Sequence, residues 1–574
     1  MPDQTPEPPR RPADAAPETI LVAVAWPYAN NHLHLGHLAG AYLPGDIFAR
    51  YHRMRGNRVL MVSGSDSHGT PVTVRAEEES TTPQAIFERY HASFLRTFEA
   101  YGISFDLFTS TDTPNHAAVS QDIFLRLLER DYLYEAEQEL LFDPKASRFL
   151  PDRYVEGTCP NCGDPNARGD QCDACGATLD AVDLIDPRSK LSDATPERRR
   201  TSHFLLRLSA FNERLVEWIE SKDDWRPHVK NFTLGMLREG LKDRAITRDI
   251  TWGVPIPLEG YESKRIYVWF EAVIGYLSAT KEWAASDLNP TGDAEDWRLW
   301  WEVPESKTLY FIGKDNVPFH TVIWPAMLMG TGDLALPYDV PANQYLTMSG
   351  AKASKSRGGA VWAPDAIERY DPDPLRYYLT AAAPETSDAD FTWAEFVRRN
   401  NDELVARWGN LVNRVLTITR RNFDERVPAP PATLSEESRA LLDRVDAAFD
   451  AVGEAFEDVQ LRRALTLAME VAGAANQYLD ARAPWVRVKE DREHAAETLF
   501  VALNVISGLA SLLNPVLPFT SQQVWSLLAH PDEVQAAGWR RTEVHPGTPL
   551  PEPAPLFRKF DDSVVAEEEA RLVR

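Results

Sequence analysis

The sequence predicts an α/β chain in which a split, doubly wound parallel sheet carries a cysteine-rich insertion and is followed by a bundle of helices. Three observations predict it. Apolar strands alternate with helical periodicity at the front of the chain and again after residue 246. All four cysteines lie in one short interval between those two stretches. From about Phe396 onward, apolar residues recur only at helical spacing. At 574 residues the chain is too long for one core, so three to five domains or subdomains are expected.

Taken in order, Met1 to Thr19 are rich in proline and polar residues, lack an apolar h-region, and read as a disordered tail (1–19) and not a signal peptide. Ile20-Leu-Val-Ala-Val-Ala25 reads as a buried strand, about Leu35 to Met54 as a helix, and Arg58-Val-Leu-Met-Val62 as the next strand. That is one βαβ unit of a Rossmann-type sheet, whose first half is assigned to 20–128. Residues 129–245 form a connective insertion. The alternation resumes with Arg265-Ile-Tyr-Val-Trp-Phe270 and Thr308-Leu-Tyr-Phe-Ile312 in the second half, 246–344. A glycine-flanked, lysine-bearing loop opens 345–395, and 396–574 is helical with a C-terminal tail.

The cysteines form Cys159-Pro-Asn-Cys162 and Cys172-Asp-Ala-Cys175, two C-x2-C pairs separated by nine residues, with Gly163 and Gly176 just after them. This spacing sets four thiolates around one tetrahedral Zn2+. Two disulfides are the alternative, which the lack of a secretory signal disfavours. Four protein ligands close the coordination sphere, so the ion would be structural and would activate no water.

Two short motifs carry the chemistry. His34-Leu35-Gly36-His37 falls where a strand ends and a helix begins, the place where open α/β sheets bind ligands and helix N-termini favour anions. Gly36 would let an adenine ring approach backbone that a Cβ would block. Lys352-Ala353-Ser354-Lys355-Ser356, bracketed by Gly350, Gly358 and Gly359, offers two point charges on a loop able to close on a triphosphate and reopen. With no G-x4-G-K-[ST] loop in the sequence, ATP would be held by side chains and helix ends. Taken singly, the first motif also reads as a helix start with solvated histidines and the second as a lysine-rich surface turn. Taken as a pair, they describe two halves of an ATP-phosphate clamp.

The helical region shows an apolar stripe of Leu404, Val405, Trp408, Leu411, Val412 and Val415, flanked by a polar face of Arg407, Asn410, Arg414 and Arg421. Pro428-Ala-Pro430-Pro431-Ala-Thr433 links to a helix whose start carries a capping-box pattern, Thr433 to Glu436. Apolar-periodic stretches at 436–482 and 494–513 complete a bundle before Asn514-Pro515 and Pro518 break the pattern, and the tail from about 526 carries no recognisable module. No run is read as long and apolar enough to span a bilayer. The net charge of −25 argues against nonspecific nucleic-acid binding, so any RNA site must be a local basic face on an acidic body. A soluble, cytoplasmic monomer is expected.

The two motifs, in this order, resemble the HIGH and KMSKS signatures of class I aminoacyl-tRNA synthetases. Pro27-Tyr28-Ala29-Asn30, Gly64-Ser-Asp66-Ser-His68-Gly69-Thr70, Ile246-Thr-Arg248-Asp249, Tyr267-Val-Trp269-Phe-Glu-Ala272-Val273-Ile-Gly-Tyr276, Gly313-Lys-Asp315-Asn316-Val-Pro-Phe-His320 and Ala483-Pro484-Trp485 are similar to segments of methionyl-tRNA synthetases, over about residues 20–525. The resemblance implies methionine activation by ATP and transfer to the 3′ end of initiator and elongator tRNA(Met), with Mg2+ accompanying ATP. It implies catalytic roles for His34, His37, Lys352 and Lys355, with Gly36, Arg248 and Ser354 also at ATP. It assigns Trp26, Tyr28, Asp66, Trp269, Ala272, Val273, Tyr276, Asn316 and His320 to the methionine pocket, Asp66 taking the substrate ammonium. Aromatic walls from Tyr28, Trp269, Tyr276 and His320 suit a thioether, at about 0.3–1.5 kcal/mol per sulfur–aromatic contact. It makes 345–395 a KMSKS-loop and stem-contact region and 396–574 an anticodon-binding domain, with Asn410, Arg414 and Trp485 reading the anticodon.

Some positions depart from the commonest family forms: Ala353 stands for the usual Met, and Val273 and Asn316 for Pro and Ile. Two other readings stay open. A class I ligase for Leu, Ile or Val would carry a large editing insertion, for which the interval between the clamp motifs is short. A tRNA-binding protein that had lost catalysis would show lesions in the clamp, yet both histidines and both lysines are present.

Overall fold

The structure is a computed structural model and describes residues 16–150, 154–169, 171, 172, 174, 175, 177, 179–192, 194–348, 351, 352 and 360–572. Its centre is a five-stranded sheet of β1 (Thr19–Val24), β2 (Arg58–Ser65), β3 (Leu107–Ser110), β4 (Lys307–Gly313) and β5 (Ala342–Asn343), in the order β5-β4-β1-β2-β3. Every pairing is parallel, with Ile20 opposite Lys307 on one side of β1 and Thr19 opposite Arg58 on the other. The near-continuous apolar run of β1 is explained by burial on both faces, as parallel strands require. The chain steps outward from β1 to β2 and β3, then returns to the other side of β1 as β4. The reversal leaves a crevice at the carboxyl ends of β1 and β4.

Two expectations are corrected here. β1 starts at Thr19, and Glu18 before it accepts from Lys307 Nζ at 2.8 Å and donates its N–H to Asn57 Oδ1 at 3.0 Å, so Glu18 and Thr19 belong to the sheet and not to the segment read as a tail. The apolar run at 265–270 is not one strand: only Arg265–Ile266 is extended, and Val268–Ala284 is a helix. That helix is buried nearly all round, and a short apolar run cannot distinguish such a helix from a buried strand. After β1, the expected helix is built from Leu35–His37, a π turn Leu38–Tyr42, and Leu43–Met54.

The insertion holds an antiparallel sheet centred on Leu133–Asp143 and Glu197–Leu206, and a smaller three-stranded sheet around Val155–Thr158 that carries the cysteines. The fully buried Asp143 carboxylate joins the two by accepting from Ser189 Oγ (2.6 Å) and Ser192 Oγ (2.8 Å). The cysteine-bearing unit has its own small core, against which Val74 of helix Thr70–Glu78 packs.

The bundle runs through Trp393–Arg399, a ten-residue π segment Asn400–Gly409, Asn410–Asn422, Glu436–Glu457, Leu461–Arg482, Pro484–Glu490 and Arg492–Leu513. Leu404, Trp408, Leu411, Val412 and Val415 are buried as the stripe requires. The helix after the proline link is capped by Ser435, whose side chain accepts from Ser438 N, and not by Thr433. The nearer hydroxyl wins because only it stands one residue before the first helical turn. Arg492–Leu513 corrects the membrane expectation: it is long and apolar enough to cross a bilayer, and its apolar window is wholly buried as the central helix of the bundle. The tail folds back as part of the core. Phe560 stacks on Phe396, Trp539 Nε1 donates to Phe449 O at 2.8 Å, and Glu568 accepts two bonds from Arg369.

Candidate functional site

The first motif lies at the mouth of the crevice. His34 precedes the helical turn in extended geometry, its N–H donates to His37 Nδ1 (3.1 Å), and the two rings stack with centroids 3.7 Å apart. A Cβ on Gly36 would come 2.9 Å from His34 Nδ1 and 3.6 Å from Leu346 O. The glycine therefore makes room for the His34 ring, beside the strand Leu346–Met348. That strand pairs with Ala351–Lys352, setting Lys352 opposite Thr347. Beyond the lysine loop the chain returns to the first motif, where Leu35 N donates to Val361 O and Ala363 N to Leu33 O. The described chain on either side of the second motif is thus anchored beside the first. Lys352 is described in its backbone only, and Ser354 and Lys355 lie outside the described residues.

Behind the motif, one cleft of about 1860 Å³ is lined by all nine residues assigned to the amino-acid pocket. Trp26 is inserted between the two halves of the sheet. A Cβ on Gly64 of β2 would lie 2.3 Å from its ring, and one on Gly275 of helix Val268–Ala284 would lie 2.7 Å away. Tyr28 covers Gly69, where a Cβ would come within 2.1 Å, and meets Trp269 edge-on; Trp269 stacks on Phe319 at 4.1 Å. Trp269, Ala272, Val273 and Tyr276 make one stripe of the helix facing the cleft. Tyr276 Oη lies 2.7 Å from His320 Nε2, and His320 Nδ1 lies 2.9 Å from Asn316 O. The carbonyl can only accept, so Nδ1 carries the proton and Nε2 accepts from the tyrosine. Burial pushes His320 down to about 4, which keeps the ring neutral.

Asp66 is buried, with its backbone tied to the chain after β1: its N–H donates to Pro27 O and its carbonyl accepts from Ala29 N. Burial first, and then the nearby Glu271 carboxylate, push its carboxyl up to about 8, against the pull of His68. Arg248 is on the cleft wall, but its guanidinium bonds Ala245 O and Thr247 O and lies 3.9 Å over the Tyr267 ring.

The four cysteines, all free thiols, gather with their sulfurs within 4.8 Å of one another; Cys159 and Cys175 are 3.9 Å apart, Cys162 and Cys172 3.6 Å. Four sulfurs at ~2.3 Å from a tetrahedral ion would be separated by about 3.8 Å. The cluster can hold a metal such as zinc. On the bundle, Asn410 is exposed and Arg414 follows one turn later, with its guanidinium 4.8 Å over the Trp485 ring and 3.1 Å from Asp480. Trp485 is 39% exposed and its neighbour Val486 43%.

Comparison with known proteins decides the family. The model for class I tRNA synthetases (M) matches residues 20–416, and that for the anticodon binding domain of methionyl tRNA ligase matches 427–573. The methionine–tRNA ligase of Thermomicrobium roseum is 52% identical, and that of Dehalococcoides mccartyi 54% identical, each match covering 97% of this chain and 99% of the relative. The chain belongs to the methionine–tRNA ligase family. Mycobacterium tuberculosis methionyl-tRNA synthetase bound by methionyl-adenylate has a similar structure, with TM-score 0.77 and 27% identity over 95% of this chain and 100% of that one.

Against the family pattern, sequence reasoning quoted but gave no role to His68 and Glu271, and did not single out His116. His68 Nδ1 lies 2.9 Å from Glu271 Oε1, and His116 Nε2 lies 3.8 Å from Glu271 Oε2. The signal was present as a lone carboxylate inside the apolar run 265–277. A charge there needs a partner brought by the fold.

Proposed function

We propose that the cleft at the carboxyl ends of β1 and β4 activates methionine and that the protein then joins it to tRNA(Met). The observation that carries this reading is the enclosure of one uncharged side-chain site, walled by Tyr28, Trp269, Tyr276 and neutral His320, next to a buried carboxylate at Asp66. Asp66 takes the ammonium, and the apolar aromatic walls take the thioether. A methionine carboxylate oxygen attacks the α-phosphorus of ATP, the bond to pyrophosphate breaks, and methionyl-adenylate remains. A 3′-terminal ribose hydroxyl of tRNA then attacks the acyl carbon, and AMP leaves.

His34, His37, Lys352 and Lys355 neutralise and orient the triphosphate, with Gly36, Arg248 and Ser354 beside it. Positioning and charge neutralisation supply the acceleration, and no covalent nucleophile is needed. Mg2+ accompanies ATP, offsetting phosphate charge. Cys159, Cys162, Cys172 and Cys175 hold one structural Zn2+, and Asn410, Arg414 and Trp485 read the anticodon. The protein works as a cytoplasmic monomer on initiator and elongator tRNA.

The test is exchange of labelled pyrophosphate into ATP with purified, metal-loaded protein, Mg2+ and no tRNA. Exchange that depends on methionine supports the reading. Exchange driven by leucine, isoleucine or valine overturns the amino acid, and tRNA binding without exchange overturns catalysis.

A further inference from the structure

The cleft-facing stripe of helix Val268–Ala284 leaves unexplained a second stripe, Glu271, Gly275 and Ser278, turned toward the first half of the sheet. Gly275 receives the Trp26 ring, and Ser278 Oγ lies 2.9 Å from His116 Nδ1. Glu271 is fully buried, and burying a carboxylate costs several kcal/mol unless a partner meets it. Its partner is His68, from the loop after β2, at 2.9 Å. This buried pair joins segments that the insertion separates in sequence.

The loop that carries His68 also carries Asp66. The His68 N–H donates to Asp66 Oδ1 at 3.2 Å. The loop is braced from its other side, since Trp252 meets the His68 ring edge-on and donates from Nε1 to Ser67 O at 2.7 Å, while Ser67 Oγ bonds Thr111 Oγ1 at 2.8 Å. Asp112, 3.8 Å from His68 Nε2, and His116, 3.8 Å from Glu271, complete the titratable surroundings. A carboxylate and an imidazole thus fix where the Asp66 loop sits relative to the helix supplying Trp269, Ala272, Val273 and Tyr276.

We propose that His68 and Glu271 are positioning residues for Asp66, setting the distance between the ammonium site and the aromatic side-chain site so that the cleft measures the length of its amino acid. This rests on the reading of Asp66 as the ammonium site.

The test compares Glu271→Gln, the double variant His68→Gln/Glu271→Gln, and Asp66→Asn in methionine-dependent pyrophosphate exchange. Glu271→Gln should raise KM for methionine about 10-fold, the scale of trading a charge-assisted hydrogen bond for a neutral one, with KM for ATP and kcat within about 2-fold. The double variant puts two neutral amides where the ion pair was, and this pair, matched in charge, should bring KM for methionine back to within about 3-fold of the parent. A merely structural role would move KM for methionine, KM for ATP and kcat together and show no rescue. That result, or an unchanged KM in Glu271→Gln, overturns the proposal. Asp66→Asn separates the two claims: if it leaves KM for methionine unchanged, the ammonium assignment fails, whereas a large effect there beside a silent Glu271→Gln overturns positioning alone.

Discussion

The cleft and the Trp485 face, the two surfaces proposed to recognise methionine and tRNA, are built on opposite principles. In the cleft, residues from 26 to 320 converge on one concave space, each orienting its neighbour: Gly64 and Gly275 admit Trp26, Gly69 admits Tyr28, and Asn316 O sets the tautomer of His320. The Trp485 face is built from three helices, Asn410–Asn422, Leu461–Arg482 and Pro484–Glu490. Its aromatic is partly exposed, and its cation, Arg414, shares itself between the indole and Asp480. The difference teaches what each can discriminate. A closed site rejects by steric exclusion and unpaired polar groups, whereas an open stacking platform holds a splayed base and owes its selectivity to neighbouring polar groups.

Substitutions should therefore separate by assay. The largest effects belong to the cleft. Asp66→Asn should lower kcat/KM for methionine by roughly 10²- to 10³-fold, the scale of removing one partner from a buried charge pair. Lys355→Ala should slow adenylate formation by about the same factor while leaving methionine binding little changed. Both should depress pyrophosphate exchange and tRNA charging alike. Trp485→Ala should reduce kcat/KM for tRNA by about 10- to 100-fold, from a stacking loss of roughly 1–3 kcal/mol, and leave exchange untouched. Exchange that fell in Trp485→Ala would break the comparison, because the open face would then be supporting the closed one.

A pH series sharpens it further. Asp66 is pushed up to about 8, chiefly by burial and then by Glu271, and ammonium binding favours its ionised form. Below that value a proton must leave on binding, so KM for methionine should rise by up to about 10-fold for each unit of pH lost. The slope should vanish in Asp66→Asn. His320, held down to about 4 by burial, should add no limb between pH 6 and 8. KM for tRNA should follow no such slope, since the Trp485 face has no comparable buried acid.

What the sequence made legible follows from the same contrast. The four-cysteine cluster was readable because its thiols lie within one short interval, and the sheet because β1, β2 and β4 are bounded apolar runs. The helix Val268–Ala284 was misread in part, since a helix buried all round loses the polar face that betrays its period. The pairing of Glu271 with His68 was invisible, as nothing local says which of many histidines will stand 2.9 Å from a carboxylate 203 residues away. The folding back of the tail onto Phe396 and Arg369 escaped for the same reason: Pro- and Glu-rich composition reports the solvent side of such a strap and not the few aromatic anchors that dock it.

The smallest expected effect probes the most finely made contact. Tyr276→Phe removes only the hydroxyl that His320 Nε2 accepts from, keeping the ring, its burial and its edge-on contact with Tyr310. One neutral hydrogen bond is worth about 1 kcal/mol net, so KM for methionine should rise about 5-fold with kcat nearly unchanged. The direction distinguishes two roles for the pair. If the hydroxyl serves to hold His320 neutral and turned toward the side-chain site, the loss appears with methionine and equally with isosteric apolar analogues, because orientation of the wall is what changed. If the hydroxyl meets the thioether itself, the loss appears with methionine and shrinks with an analogue carrying CH2 in place of sulfur. Measuring KM in exchange for both substrates, parent and variant, yields the coupling directly as the ratio of the two changes.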